Sequence, residues 1–160
     1  MLEELLKIKR IRERDAETAV RLAERKLAEA RDAVRVAKKA VSEHHDFRLK
    51  EEVRLFEEIR GESVHVRDFD DMKHAVATLR QTETDLEETV AEKTKAVAPA
   101  EQTLQSAQEA YREAKVATMK FEELVDLERS DAERAAIVRE DAEVEEAVEA
   151  VLGAATAKGG

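Results

Sequence analysis

Small and apolar residues recur along this chain at alternating steps of four and three residues. The first uninterrupted run is Ala16, Val20, Ala23, Leu27, Ala30, Val34, Ala37 and Val41. Such spacing keeps one side of a helix turned toward a partner helix, which is the pattern of a coiled coil. The same spacing continues from Met72 to Val125, with only a few polar residues in it. We therefore predict an all-α chain.

The composition agrees with long helices rather than a compact globular core. Charged residues make up 41% of the chain and aromatic residues 3%, with one proline and four glycines. A compact domain of this length needs more aromatic side chains and more turn formers, whereas long helices do not. The chain has no cysteine, which excludes disulfides and thiolate metal sites.

One break separates the two patterned halves, at Gly61-Glu62-Ser63-Val64. Glycine there is expected to cap the first helix, and Ser63 or His65 to start the second. Folding the chain at this break pairs seam residues whose numbers sum to 127, and small residues then face large ones. Examples are Ala23 with Leu104, Leu27 with Ala100, Ala30 with Val97, and Val20 with Ala107. We predict a long antiparallel two-helix coiled-coil hairpin; the alternative is one uninterrupted helix that dimerises.

The predicted boundaries follow from the same pattern. Helix 1 covers residues 1–60, a turn 61–66 and helix 2 residues 67–150, with a bend or loosened turn near Pro99. Residues 151–160, rich in Ala and Gly, are expected to be a disordered tail. We expect a single elongated domain that is a monomer in isolation.

Charge favours the fold-back. Residues 1–41 carry 12 basic and 8 acidic side chains, whereas residues 122–149 carry 3 basic and 12 acidic ones. A hairpin sets the basic start of the chain beside its acidic end, although each exposed ion pair contributes little.

The sequence offers no catalytic, cofactor or metal site. Solvated carboxylates on a two-helix hairpin lack the concave pocket that a substrate needs. His44 and His45 leave a helix about 100° apart and cannot bind one metal together. The basic segment KIKRIRER contains acidic neighbours and no aromatic residue, so nucleic-acid binding is not expected. No apolar segment has the roughly 20 residues of a membrane span, and the start of the chain does not resemble a secretory signal.

Two surfaces remain as candidates for protein binding. After Val41 we expect an inserted step that moves the seam to His45, Leu49, Val53, Phe56 and Arg60. Phe47, Leu55 and Ile59 would then point away from helix 2 and form a binding face. The alternative is an ordinary scatter of exposed apolar residues.

The second surface lies at the chain ends. Leu2, Leu6, Phe121 and Val125 occupy the predicted seam, while Ile8 and Ile11 face outward. The basic residues around them are Lys7, Lys9, Arg10, Arg12 and Arg14. An apolar ridge with positive flanks suits an acidic or polar socket; the alternative is a frayed helix end.

Four blocks of this sequence resemble a known family. LLKIKRIRERDAE (residues 5–17), HHDFRLKEEVRLFEEIRG (44–61), VRDFDDMKHAVATLR (66–80) and KFEELVDLERSDAE (120–133) have the order and spacing of the YscO family of type III secretion stalk proteins. Flagellar FliJ is its more distant relative. The resemblance covers residues 1 to about 140.

The resemblance implies an antiparallel coiled coil similar to that of the rotary ATPase γ subunit. Such a stalk is a cytoplasmic protein, peripheral to the inner-membrane export apparatus. It occupies the central pore of the hexameric secretion ATPase, links the ATPase to the export gate, and can receive effector or translocator chaperones. The residues carried over to the ATPase contact are Leu5, Ile8, Lys9, Ile11, Arg12, Leu124 and Leu127. Those carried over to the export gate or chaperones are Phe47, Leu49, Leu55, Phe56 and Ile59. The alternative function is a generic structural coiled coil that spaces or dimerises other proteins.

Overall fold

The computed structural model describes residues 1–60 and 65–159, which form two long helices. Helix α1 is Leu2–Ile59 and helix α2 is Val66–Lys158, and these described residues contain no strand. Long runs of Ala, Leu, Glu, Lys and Arg favour this outcome because each has a high helix propensity. The predicted all-α, two-helix fold is confirmed.

The start of α2 is defined by His65. Its carbonyl oxygen accepts hydrogen bonds from the backbone N–H groups of Asp68 (3.0 Å) and Phe69 (3.3 Å), as expected of an N-cap residue. Asp68 in the first turn also favours the positive end of the helix dipole. The caps that we predicted at Gly61 and Ser63 lie outside the described residues.

Helix α2 continues through residues that we expected to lie in a disordered tail. It ends at Lys158 rather than at residue 150. Alanine, the strongest helix former, stands at positions 150, 154, 155 and 157. Lys158 in the last turn favours the negative end of the helix dipole.

Pro99 lies inside α2, and the helix is continuous across it. Proline has no N–H to donate to the carbonyl of Lys95, which typically costs about 3 kcal/mol within a helix. The carbonyl of Pro99 itself accepts a hydrogen bond from Thr103 Oγ1 at 2.9 Å.

The described residues divide into two compact units, and in each a part of α1 pairs with a part of α2. Residues 17–109 form the central unit, and residues 1–16 with 110–160 form the terminal unit. In the terminal unit, Thr118 Oγ1 donates a hydrogen bond to the carbonyl of Lys9 at 3.3 Å. In the central unit, His44 Nε2 donates one to the carbonyl of Leu79 at 2.9 Å. These pairs have the antiparallel direction and, to within about one turn, the predicted register.

The buried residues of both units occupy seam positions. They are Ala23, Leu27, Ala37 and Met72 in the central unit, and Leu6, Thr118 and Val125 in the terminal unit. Most other seam residues are half-buried. Since each seam residue is covered by one partner helix only, a two-helix pair leaves part of the seam in contact with water.

The inserted step that we predicted after Val41 is wrong. Leu49, Val53 and Phe56, which we placed in the seam, are 47%, 57% and 60% exposed. The four-and-three spacing continues instead, and the half-buried residues that follow Val41 are His44, Arg48, Glu51, Glu52, Leu55 and Ile59.

Several residues therefore change place between the seam and the predicted binding face. Leu55 and Ile59, which we expected to point away from α2, are half-buried, whereas Phe56 is exposed. Phe47 points outward as predicted and is 53% exposed. The physical reason is that Arg48 and Glu52 have charged partners on α2, so a polar seam is stable here.

This assignment predicts that two adjacent substitutions have unequal effects on the free energy of unfolding. Leu55→Ala should lower the free energy of unfolding by about 1–2 kcal/mol, less than for a fully buried leucine because the side chain is only half-covered. Phe56→Ala should change it by no more than about 0.5 kcal/mol, as is usual for exposed positions. Urea unfolding followed by circular dichroism measures both. A larger loss of unfolding free energy for Phe56→Ala than for Leu55→Ala would show that Phe56 lies in the seam, as we predicted from the sequence.

Candidate interaction surfaces

One side of the terminal unit is lined with ion pairs between the helices. Arg129 Nη2 lies 2.9 Å from Glu3 Oε1, and Arg10 Nη2 lies 3.6 Å from Glu122 Oε1. The hydrogen bond from Arg129, together with its charge, lowers the pKa of Glu3 below its ordinary value. All four side chains are about half exposed or more, so these pairs orient the helices more than they stabilise them.

The opposite side of the terminal unit is apolar. Leu5 directly precedes buried Leu6, and Leu124 directly precedes buried Val125. In an antiparallel pair, the positions directly before seam residues lie on one side, and those directly after lie on the other. Ile8 and Leu127 continue the two rows one turn further on.

We name Leu5, Ile8, Leu124 and Leu127 the terminal apolar face. Their exposures are 38%, 46%, 45% and 60%. Four of the predicted ATPase-binding residues are thus brought together on one side. Ile11 is also exposed, one turn after Ile8.

The two predicted basic contacts differ in their surroundings. Lys9 is half-buried, and its Nζ lies 5.3 Å from the centre of the Phe121 ring, a cation–π contact within the unit. Arg12 is exposed. Arg12 is therefore the better placed of the two to meet a partner.

A polar layer interrupts the apolar seam of the central unit. Arg48 Nη1 lies 3.0 Å from Glu52 Oε1, and Arg48 Nε lies against Glu83 Oε2 as an ion pair without the alignment of a hydrogen bond. The side chains of these three residues are only 13–14% exposed. Burying charges is tolerated here because each has an opposite charge beside it.

Two further side chains at the rim of the polar layer hydrogen-bond to its carboxylates. His45 Nδ1 donates to Glu83 Oε1 at 2.6 Å, and Arg80 Nε donates to Glu52 Oε1 at 3.1 Å. The hydrogen bond from His45, helped by Arg48, lowers the pKa of Glu83. Burial raises the pKa of Glu52, but Arg80 and Arg48 outweigh it, and the net direction is down.

We did not predict this polar layer from the sequence, although one of its residues was assigned to the seam. We placed Glu83 correctly in the seam of α2, but the inserted step moved its partner Arg48 out of the seam of α1. The residue numbers of Arg48 and Glu83 add up to within about one helical turn, or four residues, of the predicted sum of 127. An acidic and a basic residue at such positions would have indicated the layer.

An apolar groove lies where α1 ends and α2 begins. It is lined by Val53, Phe56 and Ile59 from α1 and by Phe69 and Met72 from α2, with Glu57 and Arg60 at its rim. Of the predicted gate-binding residues, Phe56 and Ile59 line this groove, whereas Phe47, Leu49 and Leu55 do not. Phe47 lies instead beside His44, with 6.1 Å between the ring centres.

Three apolar residues of the groove were not predicted as site residues. Val53 and Met72 were assigned to the seam, and Phe69 was given no role. Phe69 is 43% exposed, and Lys73 Nζ lies 4.7 Å from the centre of its ring. Phe69 lies in the first turn of α2, close in the chain to the end of α1. That position would have indicated that it shares a surface with the last residues of α1.

The described helices also bear on metal binding and membrane insertion. Within residues 1–60 and 65–159, no three His, Asp or Glu side chains are grouped so that they could hold a metal ion. In the same part of the chain, no helix combines the length and apolar character needed to cross a membrane.

The lowered pKa of Glu83 predicts a pH-dependent stability. A carboxylate with a depressed pKa stabilises the fold above its unfolded pKa and loses that effect as pH falls through the folded value. Glu83→Gln should therefore be less stable than wild type at pH 7, and the difference should shrink below about pH 4. Thermal melts between pH 3 and 7 measure it, with Glu88→Gln, an exposed carboxylate of the same helix, as the control. Equal melting of Glu83→Gln and wild type at pH 7 would mean that the layer does not stabilise the pairing.

Comparisons with known proteins agree with the family suggested by the four sequence blocks. The chain is similar in structure to the crystal structure of the type III secretion protein YscO from Vibrio parahaemolyticus, with 29% sequence identity and a TM-score of 0.80. The match covers 91% of this chain and 92% of the Vibrio chain. The comparison with curated proteins gave no match. The family model for type III secretion protein YscO matches residues 2–150, and the chain therefore belongs to the YscO family of type III secretion proteins.

Proposed function

We propose that this chain is the central stalk of a bacterial type III secretion system and acts by binding rather than by catalysis. In this proposal the terminal unit binds the pore of the hexameric secretion ATPase, and the central unit binds the export gate and can receive effector or translocator chaperones. The stalk works on the cytoplasmic side of the inner membrane, peripheral to the export apparatus. Membership of the YscO family supports the setting.

The observation that carries the ATPase contact is the terminal apolar face. Leu5, Ile8, Leu124 and Leu127 come from both helices and lie opposite the ion-paired side of the unit. Exposed apolar residues from two elements that meet on one side are typical of protein-binding surfaces. Arg12 is exposed on α1 one turn after Ile8, and positive charge beside an apolar patch steers it toward an acidic rim.

The apolar groove of the central unit supports the second contact. Phe56 and Phe69 expose ring surface on either side of a concave site whose floor includes buried Met72. Aromatic side chains in such sites commonly dominate protein-binding energy. We assign the gate or chaperone contact to Val53, Phe56 and Phe69, in place of Leu55, which lies in the seam.

The ATPase contact predicts a defined effect of two substitutions. Ile8→Ser with Ile11→Ser should weaken binding to the purified secretion ATPase at least about tenfold, which corresponds to about 1.4 kcal/mol. Helicity and melting should stay close to wild type because both side chains are exposed. Binding, hexamer formation and ATP hydrolysis are measured with the ATPase of the same system.

The matched control is Leu22→Ser, an exposed apolar residue of α1 in the central unit. It should bind the ATPase as wild type does. No effect of the wild-type chain on the ATPase, together with a stable homodimer, would instead support a generic structural coiled coil.

The apolar groove predicts a separate phenotype. Val53→Ser with Phe56→Ser should leave ATPase binding intact but weaken binding to the cytoplasmic domain of the export gate or to chaperones, and so reduce secretion. Val36→Ser, equally exposed in the same unit, is the control. Wild-type secretion by the Val53/Phe56 variant would exclude the groove as a contact.

A further inference from the structure

Within residues 1–60 and 65–159, the last part of α2 has no partner helix. Arg129, which pairs with Glu3, is the residue furthest along α2 that forms an ion pair with α1, and α1 starts at Leu2. From residue 131 to residue 158, every described side chain except half-buried Ala136 is exposed. A helix of this length rarely persists alone on propensity, and most helices are stabilised by packing of one face.

This unpaired segment carries an apolar stripe. Ile137, Val144, Val148 and Val151 are separated by seven, four and three residues, which puts them on one face. Ala147 and Leu152 widen the stripe into an apolar surface next to Val144. The small alanine side chains allow another backbone to approach closely.

The border of the stripe is strongly acidic. Residues 140–149 contain six acidic side chains and no basic one. Two copies of the chain that paired along this stripe would set two such runs side by side, and like charges facing each other in an interface are costly. Charge therefore disfavours a second copy as the occupant and favours a basic partner.

The segment is also continuous with the terminal apolar face. Leu124 and Leu127 of that face precede the stripe in the same helix. The family match extends to residue 150, so most of the stripe belongs to the length that the family shares rather than to an added tail.

We propose that residues 137–152 of α2 dock into a protein groove with an apolar floor and a rim of Lys and Arg. The inference rests on the proposed function, because we assign this groove to the hexameric secretion ATPase. Asp141 lies within the stripe, at the position that completes the four-and-three spacing between Ile137 and Val144. It would pair with a basic side chain of the groove. The docking helix thus adds an acidic contact to the ATPase-binding surface.

The test uses the full chain and the purified ATPase hexamer. Val144→Ser with Val148→Ser and Val151→Ser should weaken binding at least about tenfold. Glu145→Lys with Glu149→Lys should weaken it as well, and should flatten the fall in affinity between 50 and 500 mM salt, because screening then removes less attraction. Val138→Ser and Glu88→Lys, both exposed and off the stripe, are the matched controls and should bind as wild type.

The outcomes separate this inference from the proposed function. Wild-type binding by both stripe variants, while the Ile8/Ile11 variant loses binding, would overturn the docking helix and leave the stalk function standing. Failure of the wild-type chain to bind the ATPase would overturn both. A wild-type dimer in light scattering that the stripe variants convert to monomers would make a second copy the occupant and overturn the basic groove.

Discussion

Two helices that pair have one seam between them, and every other property of this chain follows from that limit. Leu6, Leu27 and Val125 are buried because each faces the partner helix, yet none of the described residues forms a further layer over the pair. Apolar residues beyond the seam are therefore exposed to water in the isolated chain. Exposure of large apolar side chains is unfavourable for solubility, so their grouping on one side of the terminal unit and in one groove of the central unit is best explained by partners.

The polar layer makes the register of the central unit specific. Apolar seam residues can exchange neighbours after a shift of one heptad at modest cost, because Ala, Val and Leu pack against each other in many combinations. Arg48 cannot, since a shift would leave it beside apolar residues and would leave Glu83, which is mostly covered, without an opposite charge beside it; both changes are unfavourable. The layer adds little net stability relative to well-packed apolar residues, but it penalises every wrong pairing.

The same layer marks the limit of what sequence analysis could predict. The heptad spacing and the small-against-large pairing were sufficient for the two helices, their direction and their register, because those signals come from apolar residues that follow one rule. The rule failed after Val41, where charged residues fill the seam and Phe56 lies outside it. Because we looked for apolar seam residues there, we inserted a step in the spacing and placed Phe56 in the seam instead of Leu55. The four residues of the terminal apolar face were named as binding residues from the resemblance. That they lie on one side follows from the structure, in which Leu5 and Leu124 directly precede buried residues.

The apolar groove is the one candidate surface that shares side chains with the seam. Ile59 is half-buried in the pairing and Met72 is buried there, and both also line the groove. A partner that fills the groove would therefore cover the free side of two seam residues at the last turn of α1 and the first turns of α2. Since a ligand that binds only the paired state stabilises it by mass action, binding at the groove and pairing of the helix ends favour each other. The terminal apolar face has no such link, because its four side chains lie beside the seam, and binding there is expected to leave the pairing of the helices unchanged.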